Sequence, residues 1–388
     1  GALIEKSLVV ADGDDTPRYR LLETTRLFVM ERLIESGETA LARARHRDHC
    51  LTLAEDSAGR LLFGDTQRHL GRLDVERDNL MLALAWAPGP DDALPGLRLA
   101  AALHDYWFLR AMPARGAEAA RIALGRAGAD APGPERCRAL VTAGWMSMWA
   151  GAHAQAMQDL AEALALARRL SEPRLLCLVL TRFAHLHLHH GEREVAAAFA
   201  AEAVALGRPL ADIVELGYAL LLWAHIHVQR GDEAGAEPLY REALALRERM
   251  NNPSGMMAVH LSLAGLFTVT QALPAARAHL GQALALLPAA DSRFEAMCLI
   301  GQTAQWAAAS GRPEAAVLLF HAEAHLFAKA GFTLPRNRRG QVHIDRALRE
   351  LSTSSELPDA LVHAARALSF EQALQRCRAL LEAAPGQG

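Results

Sequence analysis

A chain of 388 residues that is 51% hydrophobic and 22% charged, with a formal net charge of −3, has the material for a large buried core and is neither disordered nor collagen-like. Its apolar runs are broken every few residues by Arg, Glu, Gln or His, which excludes the roughly 18–20-residue uninterrupted span of a membrane helix. Near-neutral charge gives no sequence-wide electrostatic reason to bind nucleic acid directly.

In chain order, Gly1 is not followed by a basic start, an apolar run and a small-residue cleavage site, so the reading places the chain in the cytoplasm. Residues 7–22 hold the one convincing strand pair: Ser7-Leu-Val-Val, an acidic turn at Asp12-Gly13-Asp14-Asp15, then Arg18-Tyr-Arg-Leu-Leu. A helix from Thr24 to Ser36 follows, stopped by Gly37. After residue 22, β-branched runs are nearly absent and apolar residues recur at three- and four-residue spacing, the mark of amphipathic helices. The expected fold is therefore all-α: residues 1–37 a β-hairpin plus helix, 38–130 a helical linker, 131–330 five helical hairpins, and 331–388 a C-terminal helical cap. Gly116, Ala123 and Leu124 fall in phase with the hairpins, which suggests a degenerate preceding unit at 97–128.

The hairpins are read from a 40-residue period. Gly151, Gly191, Gly231 and Gly311 share a phase, with Gln271 as the odd member. Five residues on stand Ala156, Ala196, Ala236, Ala276 and Ala316; seven residues before stand Gly144, Ala184, Ala224, Ala264 and Ala304. Farther along come a bulky position (Leu160, Ala200, Tyr240, Leu280, Phe320), then Ala163, Ala203, Ala243, Ala283 and Glu323, then leucine at 166, 206, 246, 286 and 326. Each glycine should end a first helix in a left-handed conformation, and Pro274 and Pro313 should open second helices. Asn252, Ser171 and Asp291 are expected to cap the first helix of the next unit.

This spacing of small, alanine, bulky and alanine positions over 137–330 resembles the tetratricopeptide repeat. It departs in period, since that repeat has about 34 residues, and the extra residues are expected to lengthen the first helices. A second resemblance rests on Glu5-Lys-Ser-Leu-Val, Arg18-Tyr-Arg-Leu-Leu-Glu-Thr-Thr-Arg26, Glu31-Arg-Leu, Gly37-Glu38, Glu76-Arg-Asp-Asn79-Leu, Ala83-Leu-Ala-Trp86 and Asp105-Tyr-Trp107. It continues in Ala330-Gly-Phe-Thr-Leu-Pro335 and Ala367-Leu-Ser-Phe-Glu-Gln-Ala373. In these the chain resembles bacterial signal-transduction ATPases with numerous domains, from the end of their winged helix onward. The resemblance implies an upstream nucleotide-binding module of the same protein, often joined to a DNA-binding domain, with the repeats as a sensor and interaction arm.

The chain carries no chemistry of its own by motif. A P-loop is absent, because Lys6-Ser7 follows Glu5 and Lys329 precedes Ala330; neither HExxH nor GxSxG occurs, and Glu192 and Glu194 read as a solvated turn. The expectation is a protein without catalytic residues or cofactor. The five cysteines, Cys50, Cys137, Cys177, Cys298 and Cys377, are odd in number and never spaced as CxxC, so they read as small core residues. Arg336-Asn-Arg-Arg339 and the cluster Arg43 to Arg47 read as solvated charge.

The groove is the candidate site. His185 and His225 share a repeat column with Trp145 and Gln305, and four residues on stand Trp149, His189, Gln229 and Val269. In tetratricopeptide-like repeats that column lines the concave surface. Trp145, Met148, Trp149, His185, His189, Tyr218, His225 and Gln229 are thus expected to line one groove for an effector protein, peptide or small molecule; filling of a narrow superhelix by the same side chains is the bland alternative. A metal triad of His185, His189 and His225 has little support, for no carboxylate stands in that column as a fourth ligand. His187 and His227, on another face, are expected in the core. A scaffold that holds only protein partners, with no small ligand, is the competing reading.

Overall fold

The computed structural model describes residues 2–12, 18–86, 93–126, 128–210, 213–333, 341–351 and 357–383. A short helix α1 (Ala2–Glu5) precedes the antiparallel strands β1 (Val9–Asp12) and β2 (Arg18–Leu21), paired from Val9 with Leu21 to Asp12 with Arg18. Helices α2 (Glu23–Glu35), α3 (Thr39–Ala58), α4 (Thr66–Ala85), α5 (Ala93–Ala102), α6 (His104–Leu109) and α7 (Pro113–Leu124) follow. Then come five hairpins: α8 (Pro134–Trp149) with α9 (His153–Leu170), α10 (Pro173–His189) with α11 (Arg193–Gly207), α12 (Val214–Arg230) with α13 (Glu233–Arg249), α14 (Pro253–Val269) with α15 (Leu273–Ala290), and α16 (Arg293–Ala309) with α17 (Pro313–Lys329). Helices α18 (Gln341–Leu351), α19 (Leu357–Ala367) and α20 (Phe370–Glu382) complete the described chain. The architecture is an all-α solenoid of tetratricopeptide-like hairpins behind a small β-hairpin. Residues 13–15 of the acidic turn, Pro335 and the Arg336–Arg339 run lie outside the described residues.

The repeat is written in the backbone. Left-handed residues recur every forty positions at Ala111 (φ 56°), Gly151 (82°), Gly191 (84°), Gly231 (84°), Gln271 (61°) and Gly311 (75°), each ending a first helix. A second series, offset by half a period, ends the second helices: Ser171 (54°), Asn251 (48°), Asp291 (42°) and Gly331 (78°). Two expectations are corrected here. Ser171 and Asp291 are left-handed helix ends, not N-caps; α10 starts after Glu172 without a side-chain cap, and α16 is capped by Ser292, which accepts from Glu295 N at 3.4 Å. Asn252 does cap α14, accepting from Gly255 N at 2.8 Å. First helices hold 16 or 17 residues and second helices 15 to 18, so the forty residues are shared evenly and the first helices are not the lengthened ones.

The small columns are where paired helices touch. Ala184, Ala196, Ala224, Ala236, Ala276, Ala304 and Ala316 have no exposed surface, and a Cβ added at Gly144 would stand 2.6 Å from Leu160 Cγ. The left-handed Ala111 shows that the repeat phase reaches the preceding unit, whose first helix is interrupted at Leu103 between α5 and α6. Gly116 there gives room to Trp107, whose Cβ would lie 2.9 Å from an added methyl.

The solenoid closes on itself. Thr333 N donates to the Trp149 carbonyl at 2.8 Å, Phe332 packs on Trp149 with ring centroids 5.7 Å apart, and Phe294 of α16 packs on Phe108 of α6 at 4.5 Å. Arg110 bridges Asp74 of α4 (2.7 Å) and Asp291 at the end of α15 (3.1 Å). Helices α18 to α20 cover the far end: Arg277 donates to the carbonyls of Leu381 (2.6 Å) and Ala383 (2.7 Å), completing the C-terminus of α20, and Ser369 with Gln372 forms a capping box at its start. At the other end, α2 buries no residue, and Tyr19, Leu21, Leu22, Leu27, Phe28 and Ile34 are exposed. Of the basic cluster expected on the surface, Arg47 is instead buried, paired with Asp48 at 2.8 Å and lying over the Trp86 ring, because α3 turns that position toward the start of the solenoid.

Candidate functional site

Closure turns the concave groove into a cavity of about 790 Å³. Its walls are repeat columns on the first helices. Trp145, His185, His225, Gly265 and Gln305 form one, Trp149, His189, Gln229 and Val269 the next, and all nine line the cavity. Tyr218 joins them from α12. Met148 does not: it is fully buried in the core, since it lies one residue and therefore 100° around the helix from Trp149. The lining ends at exposed Gly191 and Arg193, beside the turns that join α8 to α9 and α10 to α11.

One wall is aromatic and imidazole. Trp145 and Trp149 meet edge to face at 5.6 Å, and His185 lies edge-on to Trp145 at 5.0 Å. His189 stacks near His153 at 4.9 Å. His225 Nε2 stands 2.9 Å from Ser262 Oγ, whose own hydrogen goes to the Ala258 carbonyl; His225 is therefore the donor and carries its proton on Nε2. Burial holds these rings neutral: it pushes His225 down to about 4 and His185 well below the ordinary histidine range, with neighbouring histidines and Arg182 adding to the effect on His185. Among the described residues, no three His, Cys, Asp or Glu groups are placed to hold a metal ion.

The other wall is ionic, and the candidate set did not contain it. Arg182 lies over Trp145 (4.0 Å to the ring centroid) and over Tyr218 (4.7 Å), while Arg247, behind the lining, lies over Tyr218 at 4.3 Å. The four side chains form an aromatic–cation column running through three consecutive hairpins. Gly217 and Gly255 clear the space for Arg247, since a methyl on either would stand 2.6 or 2.7 Å from its side chain. Asp105 and Glu295 face the cavity near this column; burial raises Asp105 to about 6 and Glu295 to about 7. Desolvation likewise holds His104 down to about 3. A signal for Asp105 was present, since it is one period before Trp145; Arg182 stands three residues ahead of the histidine column with the uncharged Thr142, Ser262 and Gln302, which gives it no such signal.

His187 packs between the two helices as expected, against Phe183 and Phe199, with its side chain 12% exposed; His227 is 22% exposed. Beyond the core reading, each also meets a carboxylate at its hairpin turn: His187 pairs with Glu192, and His227 Nδ1 is 2.7 Å from Asp232. Cys298 lines the cavity and is partly exposed, whereas the other four cysteines are buried.

No protein-family profile matches the chain. It is 36% identical over 194 residues, 46% of its length, to a Mycobacterium tuberculosis protein named "Putative HTH-type transcriptional regulator Rv0890c", and equally to Mb0914c of Mycobacterium bovis. The matched segment spans about a fifth (21%) of those relatives. Among solved structures, a Rap protein complexed with Competence and Sporulation Factor aligns over 88% of this chain and 99% of its own, with a TM-score of 0.52 and 11% identity. BtubC from P. vanneervenii aligns over 58% of this chain and 92% of its own at a TM-score of 0.40 and 21% identity. The chain is thus a helical-repeat solenoid with a transcriptional-regulator homologue. No helix among the described residues is long and apolar enough to cross a membrane.

Proposed function

We propose that this chain is the regulatory arm of a transcription-regulatory ATPase, a cytoplasmic, nonenzymatic segment without a cofactor, which binds an effector in the cavity. Residues 1–37 then belong to a winged-helix domain, 38–130 to a linker, 131–330 to the sensor repeats and 331–388 to a cap. The observation that carries the reading is the cavity itself. Its volume of about 790 Å³ falls in the range that encloses a small molecule or a short peptide, and its lining combines aromatic rings with buried polar groups. The homologue named as an HTH-type regulator supports a regulatory role, and the Rap structure, solved in complex with Competence and Sporulation Factor, supports capture of an effector by a fold of this kind. The upstream nucleotide-binding module of the same protein is the proposed intramolecular partner. The exposed apolar face around Leu27 and Phe28 favours a second reading, in which the chain works as a scaffold for protein partners alone.

Gly265 lines the cavity, and a Cβ there meets only the Gln302 side chain, at 3.0 Å. In the full-length regulator, Gly265→Trp should fill the cavity and abolish effector-dependent transcription while helical circular dichroism is unchanged. An unaltered response would leave the scaffold reading in its place.

A further inference from the structure

Resting on the cavity reading, we infer that the ligand carries a single carboxylate, seated on the edge of Arg182, with an apolar body against Trp149, Phe108 and Phe294. Arg182 is 6% exposed and Arg247 1%, and neither forms an ion pair among the described residues. Buried guanidinium groups are almost always paired with carboxylates, because the desolvation of an unpaired charge is so unfavourable. Here Trp145 and Tyr218 pack on the guanidinium of Arg182, and Tyr218 also hydrogen-bonds to it, which leaves the Nε side of its edge for a ligand. The buried Nε makes no hydrogen bond to the protein, although Arg182 lines the cavity. A carboxylate fits such an edge in the bidentate geometry that guanidinium favours.

The neighbours restrict the anion further. Asp105 and Glu295 face the same space, so a dianion such as a phosphate monoester would meet two carboxyl groups, whereas the Arg182 edge matches the single charge of one carboxylate. Glu295 Oε2 and Gln302 Oε1 are buried acceptors without a hydrogen bond, and both residues line the cavity, which suits a ligand that also offers an N–H. Beyond this polar end the walls are Trp149, Phe108, Phe294, Phe327, Leu221 and Leu261. Both a free hydrophobic acid and the C-terminus of a short peptide have this chemistry.

Matched probes test the assignment on the chain as it stands. Titrate 4-phenylbutyrate against 4-phenylbutanamide, and the tripeptide Leu-Phe-Leu with a free against an amidated C-terminus, following heat and tryptophan fluorescence. The acids should bind at least tenfold more tightly than their amides, and inorganic phosphate should not compete. Whichever acid binds more tightly identifies the source of the carboxylate. Arg182→Gln should remove that tenfold preference while weak amide binding persists. Equal binding of acid and amide, or an unchanged preference in Arg182→Gln, overturns the carboxylate assignment and leaves the cavity reading intact. Absence of any binding overturns both. The acid-to-amide ratio of the unaltered chain decides the matter even if Arg182→Gln does not fold.

Discussion

Glu323 stands in a column that is alanine in the four preceding hairpins, and it is 1% exposed. Gly301 makes this possible: a Cβ there would stand 2.0 Å from Glu323 Oε1, so the residue that is missing a side chain compensates for the one that is oversized. Gly301→Ala should therefore destabilise the chain by about 1–3 kcal/mol in urea unfolding, and Glu323→Ala added to it should recover part of the loss; purely additive effects would mean the two are independent. Protonation offers a second test. His104 (about 3), His225 and His260 (both about 4) and His185 are held neutral by burial, so the unfolded chain takes up protons near pH 6.5 that the folded chain refuses. Their contribution is complete above about pH 6.5 and is lost as pH falls toward 4. Asp105 and Glu295 act oppositely: their raised values mean stability present below about pH 4 and lost as pH rises through 6 to 7. Each tenfold change in proton affinity on folding is worth about 1.4 kcal/mol. Four histidines therefore outweigh two acids, and the melting temperature should drop between pH 7 and pH 5. A rise would show that the acids dominate. Tryptophan and histidine columns facing inward were legible in the sequence because both sit at repeat phase. Arg182 was not, since a single Arg among Leu, Thr and Phe looks like ordinary punctuation of an apolar helix until Trp145 and Tyr218 are seen on either side of it.

At the scale of the helix pair, the turn position carries the strongest constraint. A left-handed conformation costs a residue with a side chain roughly 1–2 kcal/mol and glycine almost nothing. Four of the five hairpin turns use glycine; the fourth uses Gln271 at φ 61°. Gln271→Gly should raise stability by about 0.5–1 kcal/mol, and Gly231→Gln should lower it by a similar or larger amount, both measurable as shifts in urea midpoint. Opposite signs at equivalent positions would establish that the backbone, not side-chain contact, decides these turns. Hairpins were readable because glycine, alanine and leucine recur at fixed distances. Helix starts were less so: Ser171 and Asp291 are good capping residues by type, yet both occupy the left-handed end of the previous helix, a role that small polar residues also tolerate. The same chemistry serves both ends of a short link, and sequence alone does not say which.

For the molecule as a whole, the missing piece was pitch. Periodicity specifies what each hairpin looks like, but the angle between hairpins depends on the packing of many side chains, so a 40-residue repeat did not announce that the first and last units would meet. Arg110 and Asp291, 181 residues apart, hold that seam together at 3.1 Å. A double-mutant cycle between them should give a coupling of about 0.5–1.5 kcal/mol, because the pair is partly shielded from solvent; zero coupling would indicate an open superhelix in solution. The hydrogen bond from Thr333 N to Trp149 has a wider consequence. An open array of repeats can gain or lose a unit by duplication or deletion and remain foldable, because each unit answers only to its neighbours. A ring has no such freedom: one hairpin more or fewer would carry Phe332 past Trp149 or leave it short, and the seam would not form. Copying or deleting one hairpin of this chain should therefore break the seam, whereas exchanging the side chains that face inward should leave it intact.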